Sequence, residues 1–115
     1  MRRGEVRVAD LDPVRGSEAQ GRRPVVVVSN DRANDAAVGL GRGVVTVVPL
    51  TTSTRRVLSF QVHVPAGAAG QREDSKAQAE QVRAVAVDRV GGLVGRLPDD
   101  LLRQLDAALR LHLDL

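Results

Sequence analysis

The stretch Pro24–Ser29, PVVVVS, carries four consecutive valines, and Val44–Leu50, VVTVVPL, is nearly as rich. β-branched side chains crowd a helical turn but fit a pleated strand, so both stretches read as strands. With valine at successive positions, both faces of such a strand are apolar, which places it in the middle of a sheet with cover on each side. Shorter runs surround them. Gly4–Asp10 alternates Val6 and Val8 with Glu5, Arg7 and Ala9, the pattern of a half-buried strand. Phe60–Val64 alternates again, with Phe60, Val62 and Val64 expected on one face and Gln61 and His63 on the other. Gln78–Val85, carrying Glu80, Gln81 and Arg83, reads as one strand, and Val90–Leu97, interrupted by Gly91, Gly92 and Gly95, as another.

The connections differ in kind. Leu11–Arg23 is long and aperiodic, with Pro13, Gly16 and Gly21, and loops of that length are usually functional or mobile. Asn30–Gly43 reads as turn-rich, with at most one helical turn near Asp31–Asn34, and Pro65–Ser75 as a flexible loop. After Pro98 the pattern changes: Leu101, Leu102, Leu105, Ala108, Leu109 and His112 or Leu113 recur at helical spacing behind Asp99 and Asp100. Short strands followed by one amphipathic helix imply an α+β class that is mainly β, or a barrel capped by a helix, in a single domain over residues 1–115.

Composition narrows the chemistry. Cysteine is absent, so disulfides, thiol nucleophiles and Cys-based zinc sites are excluded. Phe60 is the only aromatic residue, which leaves stacking on a ligand to it or to arginine planes. The 17 basic and 14 acidic residues leave a net charge of +3, and Lys76 is the only lysine. Arginine suits phosphate because its planar fork binds two oxygens at once, although a G+C-rich coding sequence produces the same bias. The first residues, MRRGEVRVADLD, are charged where a secretory signal is apolar, and no apolar run is long enough to span a membrane. The expectation is a soluble cytoplasmic protein.

His63 and His112 each lack a nearby partner and read as structural, and GLGRG at Gly39–Gly43 reads as a turn. Two polar loops remain. GSEAQGRRP brings Ser17, Glu18, Arg22 and Arg23 to the start of the first valine strand, and LTTSTRR carries Thr51, Thr52, Ser53, Arg55 and Arg56 away from the second. If those strands pair antiparallel, the two loops meet and gather guanidinium and hydroxyl donors, a combination suited to phosphate and to charge that grows in a transition state. Solvated loops are the competing reading.

The segments RGEVRVADLDPVRGSEAQGRRPVVVVSND, VVTVVPLTT and KAQAEQVRAVAVDRVGG, followed by the leucine-rich end, resemble MazF/PemK-type toxins over essentially the whole chain. The resemblance implies an SH3-like twisted antiparallel barrel with a C-terminal amphipathic helix. It implies a sequence-specific endoribonuclease that needs no metal or other cofactor, acts as a homodimer on single-stranded RNA, and is neutralised by a cognate MazE-like antitoxin. Cleavage would proceed by attack of the 2′-OH, leaving a 2′,3′-cyclic phosphate and a 5′-OH. On the matching motifs, the catalytic residues would be Arg23, before the Pro of R-P-V, Thr51, which opens T-T, and Ser17 of G-S-E. RNA contacts would fall to Glu18, Arg22, Thr52, Ser53, Arg55, Arg56, Gln81 and Arg83. The first strand lacks the aromatics common in the family. A non-catalytic CcdB-like barrel toxin, or a basic RNA-binding module, is the alternative; CcdB-like toxins share the fold but have no need for the Arg–Thr pair.

Overall fold

In a computed structural model describing residues 1–115, the two valine-rich stretches are the central strands of one antiparallel sheet. The chain runs β1 (Glu5–Asp10), β2 (Arg22–Val27), α1 (Asp31–Leu40), β3 (Val44–Thr51), β4 (Gln61–Val64), β5 (Ser75–Gln78), β6 (Arg83–Ala86), β7 (Val90–Arg96) and α2 (Asp99–Leu113). Short 3-10 turns, Ala79–Gln81 and Val87–Arg89, sit on either side of β6. The strand order is β4-β5-β3-β2-β1-β7, and β6 pairs with the first half of β3 while β5 pairs with its end.

Both faces of this sheet are buried, as the valine runs require. One core joins Val6, Val26, Val48, Leu50, Val62, Val64 and Leu97 to Leu105 and Ala108 of α2, with Leu101, Leu102 and Leu109 packed around it. The other joins Val25, Val45, Val47, Val85 and Val87 to Ala37 of α1 and to Leu11 and Ala19 of the β1–β2 loop. That loop therefore folds back over the sheet as part of the core. The apolar stripe of α2 ends at Leu109: His112 is exposed, and Leu113 is 48% exposed.

The hydrogen-bonded ladder does not close into a barrel, since β4 and β7 form its two ends. The sheet instead curls until the β4–β5 loop touches β7 backbone to backbone. A Cβ on Gly70 would lie 2.3 Å from the Val94 carbonyl oxygen, and one on Gly95 would lie 2.2 Å from that of Ala69. Only glycine permits that approach.

Three expectations are corrected. Asn30–Gly43 holds a helix of 10 residues, α1, rather than a single helical turn. Asn30 caps it by accepting from the Ala33 N–H at 2.8 Å, and Gly41 ends it in the left-handed conformation at φ 65°. Its buried face is only Asn34 and Ala37, too small to print an apolar stripe on the sequence. Gln78–Val85 is not one strand, because the Ala79–Gln81 turn breaks it into β5 and β6. Gln61 is buried rather than outward-facing, and its side chain joins Leu58 and Glu80.

Candidate active site

The antiparallel pairing of β2 with β3 brings the two polar loops to one end of the sheet. Val27 pairs with Val47, Val26 with Val48 and Val25 with Pro49. Carried two residues further, the same register sets Arg23 opposite Thr51. The ladder itself stops at Val25–Pro49, where Pro24 and Pro49 have no N–H to donate. Beyond that point lies a cleft of ≈ 390 Å³ lined by Pro24, Leu50, Thr51, Thr52 and Val94, by Gly70–Glu73 of the β4–β5 connection and by Ser75 of β5.

Arg23 is half-buried, and its Nε donates to the Gln20 carbonyl at 2.8 Å, which steers the guanidinium along the loop end. Thr51 is the last residue of β3, opposite Lys76 of β5, and its Oγ1 accepts from the Ser53 N–H at 3.3 Å. Thr52 and Ser53 are exposed just beyond it, as are Arg55 and Arg56. The Arg56 carbonyl accepts from Lys76 Nζ at 2.7 Å, which ties this loop to β5.

Ser17, Glu18 and Arg22 are exposed and do not line the cleft, and Arg23 is not among its lining residues either, although its neighbour Pro24 is. Glu18 turns back into its own loop, where its Oε1 accepts from the Arg15 N–H at 2.9 Å rather than from Arg22. The loop is closed at its base by Leu11 N–H donating to the Gly21 carbonyl at 3.0 Å and by Gly21 N–H donating to Asp12 Oδ1 at 3.0 Å. Gln81 and Arg83 lie across from it and hold it. The Gln81 amide accepts from the Ala19 N–H at 3.1 Å and donates to the Ser17 carbonyl at 3.0 Å. Arg83 Nη1 donates to the Leu11 carbonyl at 3.2 Å.

Sequence reasoning missed the residues that the β4–β5 connection contributes to the cleft. Arg72 and Glu73 are exposed there beside the buried Gln71. Gln71 stitches the connection together: its Nε2 donates to the Val64 and Pro65 carbonyls at 3.1 and 2.8 Å, and its Oε1 accepts from Ala69 N–H at 3.0 Å. The charged run Arg72–Asp74 was the only signal available, and nothing local tells such a run from a solvated turn. His63 is exposed on β4, and the His112 ring lies 6.2 Å from that of Phe60, away from the cleft-lining residues.

Comparison with known proteins supports one kinship throughout. The chain is 56% identical over 115 residues to endoribonuclease MazF9 of Mycobacterium tuberculosis, covering 100% of this chain and 98% of that one. It is 33% identical over 116 residues to endoribonuclease EndoA of Bacillus subtilis, covering 100% and 96% of the two. Among solved structures it is similar to MazF from Deinococcus radiodurans, with a TM-score of 0.81 at 23% identity over 100% of this chain and 97% of that one. An endoribonuclease from a mycobacterial species in complex with its cognate antitoxin superposes with a TM-score of 0.78 at 23% identity, covering 100% of this chain and 96% of that one. These likenesses confirm the fold. Residues 2–113 match the family model described as PemK-like, MazF-like toxin of type II toxin–antitoxin system, and the chain belongs to that family.

Proposed function

We propose that this chain is an endoribonuclease toxin that cleaves single-stranded RNA through the RNA's own 2′-OH, with Arg23 and Thr51 at the reacting phosphate. The observation that carries this reading is the β2–β3 register, which brings the start of β2, with Arg23 next to the cleft-lining Pro24, to the same end of the sheet as Thr51 in the cleft wall. The endoribonuclease relatives lend it weight.

In the proposed reaction the 2′-oxygen attacks phosphorus, the bond to the 5′-oxygen breaks, and the products are a 2′,3′-cyclic phosphate and a 5′-OH. Arg23 neutralises the non-bridging oxygens as their charge grows, a role a guanidinium fills without changing protonation state. Thr51 hydrogen-bonds the phosphate and aligns the attacking group. Ser17 steadies the phosphate from the facing loop, with Arg22, Arg55, Arg56 and Arg72 supplying charge along the RNA backbone. The 2′-OH proton needs an acceptor. Glu18 is engaged by the Arg15 N–H, whereas Glu73 lines the cleft, so we assign the proton to Glu73. The leaving 5′-oxygen takes its proton from solvent, since the Arg23 guanidinium keeps its own.

The same arginines suit the acidic, disordered tail of a MazE-like antitoxin, which competes with RNA for them in this reading. A second copy of the chain completes the RNA groove as a homodimer, since one such small domain cannot enclose an oligonucleotide. RNA as substrate places the work in the cytoplasm. No helix of the protein is long and apolar enough to cross a membrane. The deciding experiment incubates purified protein with a long single-stranded RNA in EDTA and maps the ends. Discrete cuts with cyclic-phosphate and 5′-OH termini are expected; intact RNA would refute the proposal.

A further inference from the structure

The Ala79–Gln81 turn lies where β3 exchanges one partner for another. Val47 pairs with Arg83 of β6 and Leu50 with Ala77 of β5, so residues 78–82 bridge the gap between them. The turn is anchored at one end: Ala79 is fully buried, and the Val82 N–H donates to the Ala79 carbonyl at 3.1 Å. Its two remaining side chains reach in different directions. Gln81 grips the β1–β2 loop through the Ala19 N–H and the Ser17 carbonyl. Glu80 Oε2 accepts from Gln61 Nε2 at 2.7 Å, and Gln61 Oε1 in turn accepts from the Leu58 N–H at 3.0 Å, inside the β3–β4 loop. Each loop of the candidate site therefore ends on one of two adjacent residues. The arrangement is not the cheapest way to hold Gln61, because Glu80 Oε1 is buried without a protein donor.

We propose that Glu80 and Gln81 are positioning residues that couple the loop carrying Ser17 to the loop following Thr51, so that the two order and loosen together. This deepens the endoribonuclease reading and rests on it for its catalytic consequence. The physical basis is short: both grips hang from one three-residue turn, so losing one lets the turn's backbone shift, and that shift displaces the neighbouring side chain from its own partners. Loosening either loop then costs the site its geometry, and the loss falls on turnover more than on binding, because exposed arginines elsewhere still attract RNA.

The test uses the full chain and two readouts, amide hydrogen exchange and single-stranded RNA cleavage. In Glu80→Ala, exchange at Leu58 and also at Ala19 is expected to rise on the order of tenfold, with kcat falling more than KM changes. Glu80→Gln, which keeps an acceptor for Gln61, should restore both readouts. In Gln81→Ala, exchange should rise at Ala19 and, through the turn, at Leu58. Faster exchange confined to the loop whose own contact was removed would overturn the coupling. So would loss of cleavage in Gln81→Ala with exchange unaltered, which would mean that Gln81 touches RNA directly. Should Glu80→Ala fail to fold, Gln81→Ala decides alone, since it removes only the two hydrogen bonds to the Ala19 N–H and the Ser17 carbonyl and leaves the apolar packing of Ala19 and Leu11 in place. Exchange requires no RNA, so a wild-type protein that cuts nothing would refute the endoribonuclease reading and leave the loop coupling to be judged separately.

Discussion

Replacing Gly95 by alanine tests how the curled sheet holds its cleft. The added Cβ would lie 2.2 Å from the Ala69 carbonyl oxygen, 2.8 Å from its carbon and 3.1 Å from the Gly70 Cα. All three are backbone atoms, so no side chain can swing aside. Relief requires the β4–β5 loop to retreat by about 1 Å to reach ordinary contact distance. The loop resists, because Ala69 is only 1% exposed in the core and Gln71 ties the loop to Val64 and Pro65. Overpacking of this kind costs about 2–3 kcal/mol. For a domain of this size that is a fall in Tm of about 10 °C, read by thermal circular dichroism. Gly70→Ala should fall further by about 1 kcal/mol, because Gly70 also sits at φ +87°. Gly21→Ala is the control: φ is +75° but nothing lies within 4 Å of the new Cβ, so only backbone strain of about 1 kcal/mol is expected. Gly70–Glu73 line the cleft, so Gly95→Ala should also lose RNA cleavage at temperatures where it remains folded. A Gly95→Ala protein that melts with wild type, or a Gly21→Ala protein that suffers as much, would refute the argument from close approach.

Arg23→Ala should lower cleavage on the order of 10²–10³-fold with an unchanged melting curve, because its charge acts on the transition state; near wild-type rates would move the role to another arginine. Leu105→Ala removes the fully buried centre of the α2 contact and should cost about 2–5 kcal/mol, measured by urea unfolding, with the helix the first element to lose protection. Acid should weaken the N-terminal packing. The Arg3 N–H, then the Arg2 charge, hold Asp31 below its ordinary value, while for Glu5 burial pushes upward but is outweighed by the Arg2 N–H and Arg7. Carboxylates with lowered values stabilise the fold above their unfolded values of 3.8 and 4.5, and that contribution disappears as pH falls through the folded values. Urea midpoints should therefore decline below pH 4.5, less steeply in Asp31→Asn, and an identical slope in that variant would exclude Asp31.

What the amino-acid sequence makes legible by itself is whatever rests on neighbours in the chain. Runs of valine specify strands that need cover on both faces, and the leucine spacing after Pro98 specifies a helix lying against one of them, because periodicity reports burial directly. The motifs around Arg23 and Thr51 pointed to the family for the same reason: each is a contiguous stretch. Helix α1 escaped notice because its buried face is Asn34 and Ala37, too small for a periodic signal, although Asn30 and Gly41 mark its two ends. The strand break at Ala79–Gln81 was equally silent, since it exists only because β3 changes partner there. The cleft itself required the third dimension. Its walls come from β2, β3, β7 and the β4–β5 connection, segments distant in sequence that meet only once β2 and β3 are in register and Gly70 and Gly95 let the sheet curl shut. Side-chain identity could suggest what Arg23, Thr51 and Gln81 are able to do; which backbone each one faces was decided by tertiary pairing, because hydrogen bonds between loops depend on distances the chain order does not contain.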